Sequence, residues 1–126
     1  MAAHAGSTYQ SDEAPSAYCP VFQGAVELIG RRWSGAIIRS MLAGKVRFSD
    51  ILGQIPGLSD RLLSERLREL EAEGIVERHV YPELPVRIEY TLTSKGRELR
   101  DIVLSIDAWA DRWSNKPPCG TGGPTA

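Results

Sequence analysis

Four polar side chains between residues 59 and 70 repeat at a spacing that places them on one face of an α-helix. They are Arg61, Ser64, Glu65 and Arg68. Because a guanidinium can donate two parallel hydrogen bonds to a guanine edge or to a phosphate, this face has the chemistry to bind nucleic acid. A solvated helix surface is the alternative, since Arg61 also has a carboxylate partner four residues later.

The helix that would carry this face has signals at both ends. Ser59 can accept a hydrogen bond from a free backbone N–H of the first turn, and Asp60 lies at the positive end of the helix dipole. Gly74 can end the helix in a left-handed conformation. An apolar stripe lies opposite the polar side chains: Leu63, Leu67 and Leu70. The pattern predicts a helix that packs through its apolar side and leaves its polar side free for a partner.

Further nucleic-acid contacts are expected from residues near the ends of neighbouring elements. Ser59 and Asp60 could contact phosphate or bases, although Ser59 could equally serve only as a helix cap. Arg47 and Arg87 are expected to act as phosphate clamps, and a solvated surface charge is the alternative for each.

Two cysteines and two histidines are too scattered to suggest a metal site, and no cofactor is expected. Cys19 lies at a predicted helix start, where the dipole can favour a thiolate, so it is a candidate sensor of oxidants or electrophiles; a buried inert thiol is the alternative. Cys119 is interpreted as a bystander, although a mobile thiol could resolve an oxidised Cys19. A small molecule bound near Trp33, Trp109 or Trp113 is a second possible input.

Length and composition fit one ordinary domain. The chain has 126 residues, 42% of them hydrophobic and 25% charged, and no apolar run long enough to span a membrane. A cytoplasmic location is expected, and an enzyme is not, because catalytic constellations and phosphate loops are missing from the sequence. The formal net charge of −1 gives no general attraction to phosphate, so DNA binding must depend on local basic patches.

Hydrophobic periodicity predicts the elements around the polar helix. A first helix runs from Cys19-Pro20 to Gly30, a second ends at Gly44, and a short third begins with Ser49 as its cap and stops at Pro56-Gly57. The polar helix follows after a turn of the length found in helix-turn-helix pairs. Two alternating segments, 75–81 and 86–92, then predict a hairpin with its prolines in the connecting loop. Residues 1–17 and 115–126 are predicted to be flexible tails around a domain at 18–114.

The last predicted helix begins at Thr93 or Ser94 and carries an apolar stripe over at least four turns. Its members are Leu99, Ile102, Val103, Ile106, Trp109 and Trp113. A domain this small has limited core for so broad a stripe, so part of it, together with the first helix, is predicted to pack against a second subunit.

The order of these elements and several short motifs resemble the HxlR family of bacterial transcriptional regulators, within the MarR-like superfamily. The resemblance covers Cys19 to Trp113 and rests on Cys19-Pro20, Arg32-Trp33 where the family usually has Lys-Trp, Arg47-Phe48, residues 67–71 with Gly74, and residues 90–93 with Gly96. A departure is Val86, which stands where the family often has a second proline.

The resemblance implies a mainly α fold with a small β-hairpin, a winged helix-turn-helix that dimerises through its N- and C-terminal helices. It also implies a homodimer, acting as a repressor, that places two reading helices in successive major grooves of a pseudo-palindromic operator on double-stranded DNA. A winged-helix domain used only for protein or RNA contacts is the alternative.

Overall fold

The computed structural model describes residues 14–117 and residue 119. Residues 1–13, 118 and 120–126, which include His4 and most of both predicted tails, lie outside the described residues. Within the described part the elements follow in the order α1 (Pro20–Gly30), α2 (Ser34–Leu42), α3 (Phe48–Gln54), α4 (Asp60–Ala72), β1 (Val76–Tyr81), β2 (Arg87–Leu92), α5 (Ser94–Arg97) and α6 (Arg100–Trp113).

Helix α4 forms where its sequence signals predict it. The Ser59 hydroxyl accepts a hydrogen bond from the backbone N–H of Leu62 at 3.1 Å, a cap of a kind that stabilises a helix by about 1 kcal/mol. Gly74, with φ of 76°, takes the left-handed conformation just after the helix, which a residue with a side chain adopts only with strain. Both predicted ends of the helix are confirmed.

The core lies between α2, α3 and α4 and extends to the base of the hairpin. Its fully buried apolar side chains are Ile37, Ile38, Ile51, Leu63, Leu67, Leu70, Ile75 and Val76. The leucine stripe of α4 is therefore its inner face, as the periodicity predicts. Burial of a leucine side chain is favourable by about 1.5–3 kcal/mol, so this stripe fixes α4 to the domain.

The turn between α3 and α4 is short and tightly shaped. Gly57 has φ of 89°, and Leu58 beside it is buried in the core. The prediction that Ser49 caps α3 is wrong: the helix begins at Phe48, and Arg47 precedes it with an extended backbone and no side-chain cap. The helix starts two residues earlier than a Ser49 cap would allow, and Phe48, its first residue, packs against the core.

Strands β1 and β2 form an antiparallel hairpin with Val76 opposite Leu92 and Tyr81 opposite Arg87. Residues 82–86 connect them, so the prolines lie in the loop as predicted. The backbone N–H of Tyr90 also donates to the carbonyl of Val46 at 2.8 Å, which joins the hairpin to the segment before α3. Helices α3 and α4 followed by this hairpin make the fold a winged helix-turn-helix, and the predicted fold class is confirmed.

The single long C-terminal helix predicted from the sequence is interrupted. Thr93 caps the short helix α5 by accepting from the N–H of Gly96 at 3.1 Å, and α6 begins only at Arg100. Gly96 fits directly against the carbonyl oxygen of Ile75, where a Cβ atom would collide. Helix α5 thus contacts the hairpin, while α6 packs on α2.

An ion pair fixes α6 to α2. The Arg39 guanidinium donates to the Asp107 carboxylate, with Nη2 2.8 Å from Oδ2. This hydrogen bond raises the pKa of Arg39 above its ordinary value because it stabilises the charged form. Neither α1 nor α6 contains a fully buried residue. Within the described residues, however, α1 forms no ion pair with α2, and its Val21, Phe22 and Val26 are exposed.

Candidate nucleic-acid interface

The outward face of α4 carries the four polar residues that the sequence assigned to it. Arg61 is the most open, with 88% of its side chain exposed, and Arg68 is also exposed, while Ser64 and Glu65 are half-buried. The Nε atom of Arg61 lies 3.3 Å from Oε2 of Glu65, so the intrahelical ion pair considered as an alternative is present. Such a pair is worth only about 0.3–0.5 kcal/mol, and a guanine or phosphate can replace the carboxylate at low cost.

Ser59 and Asp60 lie at the end of α4 that a groove-reading helix presents to DNA. The Ser59 oxygen already accepts the capping hydrogen bond from Leu62, but the side chain is exposed and its O–H group can still donate. Asp60 is exposed in the first turn, where its carboxylate can accept a hydrogen bond from a cytosine amino group.

Arg87 is held by its neighbours on the wing, the hairpin β1–β2 with its loop. Its Nη2 lies 3.0 Å from Oε2 of Glu83, its Nη1 lies 2.6 Å from Oε2 of Glu89, and its guanidinium stacks 4.0 Å from the ring centroid of Tyr81. These hydrogen bonds raise the pKa of Arg87 and hold the pKa of Glu83 below its ordinary value. A phosphate would have to compete with two carboxylates for this side chain.

Arg47 lies immediately before α3 and forms no ion pair within the described residues. Its charge also reaches the wing, because it helps to lower the pKa of Glu83. Between the two predicted phosphate clamps, Arg47 therefore has the freer guanidinium in the part of the chain that the structure describes.

Cys19 is exposed at the start of α1, where its Sγ accepts a hydrogen bond from the N–H of Phe22 at 3.5 Å. Its thiol is thus accessible to reagents rather than buried. Cys119 is also exposed and lines a surface cavity of about 560 Å³ between α2 and α6, with Arg39 and Asp107. The sequence offered no signal for this location.

The apolar stripe of α6 divides into two parts. Leu99 and Val103 pack against the core. The remaining four side chains, those of Ile102, Ile106, Trp109 and Trp113, are exposed. The two tryptophans have the largest exposed fractions, 61% for Trp109 and 76% for Trp113. Trp33, by contrast, packs against the core, as expected of a lone aromatic on an apolar face.

Sequence reasoning missed Arg66, the buried cation on α4. It is only 8% exposed, and its Nε donates to the backbone carbonyl of Arg32 at 2.9 Å. The signal was present in the helical spacing, because residue 66 falls beside Leu63 and Leu70 on the inner face. A long side chain with five donors can occupy such a position when it finds acceptors there.

Within the described residues, no helix is long and apolar enough to cross a membrane, and no cluster of three potential ligands could hold a metal ion.

The sequence matches the HxlR-like helix-turn-helix family over residues 28–117, which is most of the chain. The chain belongs to this family. Transcription regulation through a DNA-binding helix-turn-helix is accordingly the function class of this HxlR-like protein.

Individual relatives agree with the family assignment. YvaP, an uncharacterized HTH-type transcriptional regulator of Bacillus subtilis (strain 168), is 51% identical over 98 residues, which are 78% of this chain and 91% of YvaP. The quinone-bound structure of YodB from B. subtilis has a TM-score of 0.65 at 43% identity, covering 75% of this chain and 99% of that chain. The redox regulator HypR in its oxidized form has a TM-score of 0.69 at 40% identity, and the match covers 79% of this chain and 99% of the HypR chain.

Proposed function

We propose that this HxlR-like protein binds a pseudo-palindromic operator as a homodimer and represses transcription from it. The observation that carries the proposal is the exposed pair Arg61 and Arg68 on a helix whose opposite side is fully buried. A helix held in this way presents its guanidiniums in a defined orientation, which base reading requires.

Arg61 is assigned to base edges and Arg68 to bases or backbone, because the N-terminal part of a recognition helix approaches the floor of the major groove. Ser59, Asp60, Ser64 and Glu65 lie around them as additional contacts. Arg47 and Arg87 are assigned to phosphates that flank the groove. Of these two, Arg47 is the more available to phosphate, whereas Arg87 must exchange a carboxylate for it.

Dimerisation is assigned to α1 and α6, since both carry large apolar side chains that the single chain leaves exposed. Monomeric proteins rarely expose contiguous apolar patches of this kind without a partner. A two-fold dimer would place the two α4 helices about one helical turn of DNA apart, roughly 34 Å, or a multiple of it. It would also double the local basic patches of a chain with net charge −1.

Control by a thiol-reactive signal is proposed for Cys19. Its Sγ is exposed on α1, the helix assigned to the dimer, so oxidation or alkylation there would alter the pairing of the subunits. The oxidized form of HypR and the quinone-bound form of YodB are relatives that support a signal of this class. The protein would act where bacterial DNA lies, in the cytoplasm, as a regulator rather than an enzyme.

The alternative function is a winged helix that contacts protein or RNA without binding an operator. The carboxylates around Arg87 favour it, because they reduce the free positive charge of the wing. A selection of bound fragments from source-genome DNA separates the two functions. We expect the wild type to enrich a palindromic site. A thiol oxidant should abolish that enrichment in the wild type, whereas Cys19→Ser should still enrich the site in the presence of the oxidant. Failure to enrich any palindrome would support the alternative.

A further inference from the structure

We propose that Arg66 is a positioning residue for DNA recognition, which fixes the orientation of α4 relative to the linker between α1 and α2 (residues 31–33). This inference rests on the proposed operator binding, and it adds a residue that touches no DNA. Arg66 lies on the inner side of α4 and is 8% exposed, so its guanidinium cannot reach a groove that α4 enters with its outer side.

One bond of Arg66 connects α4 to the linker, and its other partners are carboxylates of α4 itself. Its Nε donates to the Arg32 carbonyl at 2.9 Å, and its Nη1 lies 3.4 Å from Oε2 of Glu69 and 3.8 Å from Oε1 of Glu65. A guanidinium is a rigid planar fork, so the carboxylates that hold Nη1 on the surface of α4 itself also fix the direction in which Nε points, which is toward the linker carbonyl.

Arg66 is the middle member of a row of alternating charges that crosses α4. Glu69 also binds Arg31, with Oε1 3.1 Å from Nε, and Glu65 binds Arg61, with Oε2 3.3 Å from Nε. The row runs from Arg31, which follows the last residue of α1, to Arg61 on the outer face. The side chain proposed to read bases therefore shares its carboxylate with the buried arginine.

The linker is itself held in a defined shape. Trp33 has φ of 78°, in a region that residues with side chains rarely adopt, and the Arg32 guanidinium lies 5.2 Å from the Trp33 ring centroid. The same ring packs on Gly57, where a Cβ atom would lie 3.3 Å from Cη2. The linker thus touches both the turn before α4 and the middle of α4, which are the two points needed to set its direction.

Leu28, near the end of α1, packs against the core, whereas Val21, Phe22 and Val26 are exposed, so α1 is joined to the helix-turn-helix mainly through the end that leads into the linker. A displacement of α1, whether by a second subunit or by modification of Cys19, would reach α4 through Arg31, Arg32 and Arg66. The linker therefore supports the reading helix from the side of α1.

The test compares the wild type with Arg66→Met, which replaces the buried side chain by an unbranched apolar one and removes its donors. Binding is measured to the selected operator and to a random duplex across a range of salt concentrations. We expect operator affinity to fall at least tenfold, random-duplex affinity to stay within about twofold, and the salt slope to be unchanged because Arg66 touches no phosphate. The matched control is Arg97→Met, which removes a guanidinium-to-carbonyl bond of 2.7 Å to Leu92 on the hairpin side and should keep operator selectivity.

Equal weakening on both duplexes, or a wild-type ratio of the two affinities, would overturn the proposal. If urea unfolding shows that Arg66→Met does not fold, Arg66→Lys takes its place, because lysine keeps the positive charge but lacks the planar guanidinium. A folded Arg66→Lys with wild-type selectivity would also overturn the proposal. Failure of the operator proposal is a different result, in which the wild type itself shows no preference between the two duplexes.

Discussion

Arg61 and Glu65 form an ion pair on the outer face of α4, with Nε 3.3 Å from Oε2, while Arg61 keeps 88% of its side chain exposed. The pair holds the guanidinium near the helix surface in the free protein without burying it. Since an exposed pair of this type is weak, DNA can replace the carboxylate and take over its hydrogen bonds.

Replacing Arg61 by Ala should cost roughly 1–3 kcal/mol of operator binding per half-site and relax the preference at one base position, because the bidentate hydrogen bonds to a base are removed. Competition binding against operators changed at single positions would detect this. If Arg61→Ala weakens binding to operator and to random DNA equally, Arg61 does not contact a base edge.

Replacing Arg87 by Ala should weaken binding to all sequences alike and lower the salt slope by about 0.9 for each phosphate that Arg87 neutralises in each subunit. The reason is that Arg87 is assigned to phosphate and not to a base. Titration of binding against salt concentration provides the measurement. If the slope does not change, Arg87 only holds the wing together through its bonds to Glu83 and Glu89.

The pKa of the Glu83 carboxyl should lie below the ordinary glutamate range, because Arg87 donates hydrogen bonds to its charged form. A lowered pKa means that the pair stabilises the folded wing above the ordinary pKa and no longer does so as pH falls through the lowered value. Carboxyl NMR titration should show the pKa of Glu83 returning upward in Arg87→Ala. An identical titration in both proteins would contradict the pairing.

Replacing Leu67 by Ala should lower the free energy of unfolding by about 2–5 kcal/mol, because the side chain is fully buried between α4 and the core and its removal leaves a cavity. Urea unfolding measures the change. Leu84→Ala is the matched control, since Leu84 is exposed in the wing loop and its truncation should alter stability by less than about 0.5 kcal/mol. Equal destabilisation by the two substitutions would contradict the assignment of the core.

Replacing Trp109 by Glu should dissociate the proposed dimer, because it places a charge in the exposed apolar stripe of α6. Sedimentation velocity at several protein concentrations should give a monomer that remains folded by circular dichroism. Leu84→Glu makes the same kind of change in the wing loop and should stay dimeric. A dimer that persists in Trp109→Glu would place the subunit interface elsewhere.

The sequence predicted those elements whose signals are local. The Ser59 cap, the stripe through Leu63, Leu67 and Leu70, and Gly74 lie within one stretch, and each depends on neighbours only a few residues away. The order of the helices and strands along the chain was predicted from the same spacing of hydrophobic residues. The winged helix-turn-helix could be predicted because its parts are consecutive in the chain.

Features set by distant contacts were not predictable in this way. Gly96 lies against the carbonyl of Ile75, and the main bond of Arg66 is to a carbonyl 34 residues earlier. The two carboxylates around Arg87 are close in sequence, but it is the hairpin that brings loop residue Glu83 and strand residue Glu89 to the same guanidinium, where sequence alone suggested an exposed cation. Charge pairing of this kind follows from the folded geometry.

Operator reading by α4 is the central claim, and the ratio of two dissociation constants tests it most directly. The constants are those for a duplex selected from the source genome and for a scrambled duplex of the same length, both measured at physiological salt. We predict a ratio of about 10³ or more in favour of the selected site, as specific DNA-binding proteins reach. A ratio near one would contradict the claim.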